Sequence, residues 1–141
     1  MRVQDMAEYL RKKVMQGNRF QNKEQGEREF YLIAATFDEH GRMTALAENN
    51  IWKTHPMMKK YATQVNLNHK IYLHAEISAI IRSRGSCHSL IVIRVNKNGA
   101  FSMAKPCPVC QAAILDAKVE HLYYSDQDGD IVSPLGIGEK E

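Results

Sequence analysis

The chain reads as an α/β protein, a three-layer-type sandwich in which a mixed five-stranded sheet carries flanking helices. Three observations predict it. Short β-branched and aromatic segments alternate along the chain with segments of helical period, the order expected of strands covered by helices. The 141 residues, 44% of them hydrophobic, suffice for one core and leave no room for a second. The last two strand segments are joined by only a few residues, too few for a parallel crossover, so the final strand should run antiparallel through a hairpin.

The elements follow in order. Val3, Met6, Leu10 and Val14 recur at helical spacing with Arg11, Lys12 and Lys13 between them, and Gly17 is a stop signal. Residues 3–16 are therefore predicted as an amphipathic helix lying on one face of the sheet. Phe30 to Phe37 is a strand, Asp38 to Arg42 the turn, and Met43 to Glu48 the antiparallel return. An irregular stretch follows from Asn49, with a helix over Met57 to Ala62, and loops of this length are uncommon unless functional. Ile77, Ile80 and Ile81 then repeat with helical period until Gly85. Ser89 to Asn96 is the third strand, closed by a hairpin-type turn at Asn98-Gly99. Pro108 opens a largely apolar helix through Val109, Ala112, Ala113, Ile114 and Leu115, since a first-turn residue needs no amide proton. Val119 to Ser125 is the fourth strand, Asp126 to Asp130 a tight turn, and Ile131 to Leu135 the fifth. Residues 1–141 form one domain, with 1–28 a helix and linker and 29–136 the core.

Composition excludes several classes. No apolar run approaches the roughly 18 residues of a membrane span, and the N-terminus lacks a signal-peptide pattern, so a cytoplasmic protein without membrane contact is expected. The three cysteines fit a reducing compartment. The net charge of +3 is unevenly placed. Lys53, Lys59, Lys60 and Lys70 fall between Asn49 and Leu73 without an acid, whereas the segment from Val119 onward is acidic. Such a basic stretch suits a substrate phosphate or a polynucleotide backbone, although most charge runs are only solvated surface.

The chemistry concentrates in His74-Ala75-Glu76 and Pro106-Cys107-Pro108-Val109-Cys110. His74, Cys107 and Cys110 are the ligand types of a catalytic zinc, which takes three protein ligands and leaves a fourth position for water. Glu76 is then free to move protons as base and acid in turn. Both motifs fall at predicted helix starts, where partial positive charge and free N–H groups favour thiolate. A redox or Cys₄ reading of Cys-x-x-Cys is weak here, because Cys87 is the only other thiol and no second pair exists. His40, His55, His69, His88 and His121 are read as surface or packing residues toward the metal.

His-x-Glu followed by Pro-Cys-x-x-Cys is the signature of zinc nucleobase deaminases, and over residues 29–136 the chain resembles the zinc-dependent cytidine/deoxycytidylate deaminase-like superfamily. The resemblance implies Zn²⁺ as cofactor, hydrolytic removal of an exocyclic amine, Glu76 as proton carrier, and metal ligation by His74, Cys107 and Cys110. It implies a nucleoside or nucleotide substrate with a cytosine base; a single-stranded nucleic acid or a purine base is the alternative. His74 in place of a cysteine is similar to the deoxycytidylate and nucleic-acid branches, and the final hairpin to the free-cytidine branch. Together they resemble the small stand-alone deaminases of phage and bacterial type. Asn49 or Asn50 matches the position that contacts the sugar in relatives, Ala75 sits between the two motif residues, and Lys53-Thr54-His55-Pro56 is similar to a motif of such small deaminases. Lys53 or His55 is thereby placed at a substrate phosphate, with Trp52, Tyr61 and Tyr72 near enough in sequence to offer a stacking face. The superfamily's habit of completing sites between subunits implies a homo-oligomer.

Overall fold

The computed structural model describes residues 2–17, 20–21, 30–49, 55–67 and 74–133. Its elements are α1 (Val3–Gln16), β1 (Phe30–Phe37), β2 (Met43–Glu48), α2 (Pro56–Gln64), α3 (Ala75–Ser83), β3 (Ser89–Asn96), β4 (Phe101–Ser102), α4 (Pro108–Asp116), β5 (His121–Ser125) and β6 (Ile131–Val132).

The sheet is mixed, in the order β2-β1-β3-β5-β6, with β4 paired to β3. β1 runs antiparallel to β2 and β3, β3 and β5 are parallel, and β6 returns antiparallel to β5. The β3–β5 pair is parallel because α4 lies between them in sequence and provides the crossover. Among the described residues six strands replace the five expected. The added one is β4, where Phe101 and Ser102 fold back on Val95 and Arg94. Two residues carry no period of their own, so only the hairpin geometry reveals them. That hairpin turns at Gly99, whose φ of +87° favours glycine and whose missing Cβ leaves room for the Met15 side chain.

Alternation along the strands splits the core into two layers. Tyr31, Ile33, Ala35, Phe37, Ile91, Ile93 and Val95 face α1, burying Ala7, Leu10 and Val14. Ala34, Ala47, Leu90, Val92 and Leu122 face the other way, toward Met58 and Tyr61 of α2, Ile77 and Ile80 of α3, and Val109 and Ile114 of α4. Among the described elements, α1 covers one side of the sheet and α2, α3 and α4 the other.

Boundaries shift where hydrogen bonding outranks composition. α2 extends to Pro56–Gln64, beyond the expected 57–62, because the His55 side chain accepts the Met57 N–H and Pro56 suits the first turn. α3 ends at Arg84 in a left-handed conformation, one residue before Gly85. β5 begins at His121, not Val119, since Lys118 turns with φ +58° and the Glu120 and His121 amides both donate to the His88 carbonyl. β6 covers only Ile131 and Val132, the expected continuation to Leu135 falling partly outside the described residues. Among the described residues no helix is long and apolar enough to cross a membrane.

Candidate metal centre and proton-carrying carboxylate

His74 and Cys107 are the N-caps of α3 and α4, both in extended conformation, and neither side chain is spent on capping its own helix. Pro108 in the first turn and the helical bond from Gln111 N–H to the Cys107 carbonyl set the direction of α4. Cys110 lies one turn on and is fully buried. The two helix starts therefore bring one imidazole and two sulfurs together from positions more than thirty residues apart in sequence.

The separations bear on what these donors could hold. His74 Nδ1 is 3.3 Å from Cys110 Sγ and 3.6 Å from Cys107 Sγ, and all three donor atoms lie within 4.8 Å of one another. Tetrahedral zinc with bonds of about 2.3 Å to sulfur and 2.0–2.1 Å to nitrogen needs donor separations of roughly 3.5–3.8 Å. The two nitrogen–sulfur separations match a zinc-sized ion to within a few tenths of an ångström.

The electrostatics agree with that fit. Cys107 is pulled well below an ordinary thiol, first by a hydrogen bond from the Cys110 sulfur and then by His74. Cys110 is pushed up, first by its partner Cys107 and then by burial. A cation binding thiolates would compete with protons at both sulfurs.

Glu76, in the first turn of α3, is 3% exposed. Burial pushes its carboxyl up, against the smaller lowering by its own backbone N–H and by His74. It contacts the Cys110 sulfur, while Oε1 is buried without a hydrogen-bond partner among the described residues. A buried, unsatisfied carboxylate oxygen costs about 1–3 kcal/mol or more, so a structural role does not account for it.

The other expected residues divide. Ala75 is fully buried at the start of α3. Asn49 directly follows β2, its N–H donating to the Leu32 carbonyl at 3.3 Å, and its Oδ1 is buried. His55 spends Nδ1 as the cap of α2, which leaves only Nε2 for a ligand. Lys60 lies 3.7 Å from Asp116, the last residue of α4 and so roughly 9 to 14 Å along that helix from Cys110 and Cys107. Asn50, Trp52, Lys53 and Tyr72 lie outside the described residues. Tyr61 is buried in the α2–α4 contact and its hydroxyl donates to Asp116; burial, and then Asp116, raise it to about 12. That hydroxyl ties the helix after the long loop to the helix of the metal ligands, a link invisible in the sequence. Tyr61→Phe is expected to cost about 1 kcal/mol, because Asp116 keeps water as an alternative partner, and to lower the melting temperature by a few degrees in a thermal unfolding scan.

A separate cleft lined by Asp38, Arg42, Cys87, His88 and Lys118 opens at the beginnings of β3 and β5, away from the metal donors. No family model and no curated protein matches the chain. Among solved structures it is similar to a mutant cytidine deaminase from Mycobacterium tuberculosis, with 20% identity and a TM-score of 0.40. The match covers 68% of this chain and 66% of that one, so the chain spans just under two thirds of that protein's length.

Proposed function

We propose that the protein is a zinc-dependent hydrolase that removes the exocyclic amine from a cytosine base in a nucleoside or nucleotide, releasing ammonia. One observation carries this reading: a buried carboxylate with an orphaned oxygen stands beside a His-Cys-Cys donor set of zinc dimensions. His74, Cys107 and Cys110 hold the ion, and Glu76 remains outside its ligand set. Zinc supplies Lewis acidity when bound, bringing the pKa of water at the open position to about 7.

The chain's own groups do the rest. Glu76 accepts one proton from the attacking water and delivers it to the ring nitrogen, then takes the remaining hydroxyl proton and passes it to the departing amine, so ammonia leaves, a carbonyl remains, and one carboxylate serves as base and acid. Its buried setting raises its proton affinity toward the working pH, which suits both roles. The first-turn N–H groups of α3 and α4 favour negative charge at the reacting centre. Asn49, at the end of β2, is the sugar-contacting residue in this reading.

The test is ammonia release from cytidine, deoxycytidine, deoxycytidylate, guanine, adenosine and single-stranded DNA by the zinc-loaded protein. Turnover of a cytosine nucleoside or nucleotide is expected. Activity confined to purines or to single strands would overturn the substrate assignment, and inactivity on every member would overturn the enzymatic reading.

A further inference from the structure

Cys107 stands between two prolines, so neither neighbouring residue has an amide proton with which to anchor the chain there. One residue supplies the anchorage. Gln111 donates its side-chain Nε2 to the Pro106 carbonyl at 2.8 Å and its backbone N–H to the Cys107 carbonyl at 2.8 Å. These carbonyls belong to the peptide planes on either side of the Cys107 Cα, and the relative orientation of those planes is what φ and ψ describe. Gln111 therefore holds Cys107 at φ −71° and ψ 167°, and with them the direction of its Cα–Cβ bond. The Cys110 backbone N–H donates to the Cys107 sulfur, so the far end of that side chain is aimed as well.

The contact departs from the usual helix start. With Cys107 as the N-cap, the position from which a glutamine or glutamate commonly reaches back is the third residue of α4, and that position is Cys110, a metal donor. Gln111 comes one residue later. Pro106 and Gln111 thus hold the two positions that an apolar contact usually joins, and here a hydrogen bond joins them. Of the nine residues of α4, Gln111 and Asp116 alone carry an amide or carboxyl side chain. Asp116 receives Tyr61 at the far end, which leaves Gln111 as the polar group beside the donors. Pro106 is buried and Gln111 half-buried, so water competes less for the bond between them.

We propose that Gln111 is the positioning residue of Cys107, presetting its sulfur for the metal through the two carbonyls while touching neither ion nor substrate. The inference rests on the zinc reading above and adds to it a residue that governs metal affinity. The experiment measures zinc affinity by competition with a chromophoric chelator for the wild type and two variants. Gln111→Leu keeps the bulk without a donor, and Gln111→Glu keeps the shape but sets an acceptor against the Pro106 carbonyl. Visible absorption of the cobalt-substituted proteins and thermal unfolding of the metal-free proteins are recorded alongside.

Both variants are expected to bind zinc roughly ten- to hundred-fold more weakly, the usual worth of a partner that orients a ligand. Their cobalt–thiolate bands should change, while the metal-free melting temperature stays close to that of the wild type. Zinc affinity and cobalt bands unchanged in both variants would overturn the inference and leave the metal centre standing. Affinity lost only in proportion to metal-free stability would make Gln111 a residue of the fold and overturn the inference equally. Should Gln111→Leu fail to fold, Gln111→Glu decides on the same readouts. A wild type that takes up neither zinc nor cobalt refutes the metal centre and this inference with it.

Discussion

Glu76→Gln is expected to lower turnover by about 10²- to 10⁴-fold while zinc content and fold are retained, because the amide keeps the shape of the side chain but cannot carry a proton. The site explains why the fold should tolerate it. Glu76 is buried with Oε1 unpartnered, so replacing the carboxyl by a neutral amide removes a desolvated acid without breaking an ion pair among the described residues. Ammonia release measured beside metal analysis separates the roles. Loss of zinc together with activity would make Glu76 a ligand and invalidate the assignment of His74, Cys107 and Cys110 as a complete protein set.

Removing the metal is expected to have the larger effect on stability. Stripping zinc with a chelator should lower the melting temperature by about 10 °C or more, since an ion present at a thousand times its dissociation constant contributes about 4 kcal/mol, and each kcal/mol moves a domain of this size by a few degrees. Cys107→Ser should reproduce most of that loss and abolish stoichiometric zinc. The cause is local. The donors are the N-caps of two helices and a residue one turn into the second, so a bound ion would tie α3 to α4. Affinity should weaken as the pH falls, because cysteine and histidine bind metal only when deprotonated. Identical unfolding curves with and without chelator, or purified protein free of zinc, would refute the metal centre.

The ends of the long elements were legible wherever a strong local signal coincided with burial. Val3–Gln16, Phe30–Phe37, Met43–Glu48 and Ser89–Asn96 fall where periodicity and turn residues predict. Signals failed where pairing decided the outcome. β4 is two residues long and exists only because β3 offers them an edge, and β5 starts late because two amides converge on the His88 carbonyl. A propensity argument contains neither partner.

The same division runs through the candidate site. Residue type and spacing alone singled out His74, Glu76, Cys107 and Cys110 as candidates, because few combinations of imidazole, carboxylate and paired thiol make sense outside metal chemistry, and the proline between the cysteines marks a helix start. The tie from Tyr61 to Asp116 was not legible. Only the tertiary structure brings these two side chains together. The physical reason is that ligand chemistry is a property of residue types, which the chain carries by itself. Proximity across strands and helices is a property of register and packing, which no local stretch encodes.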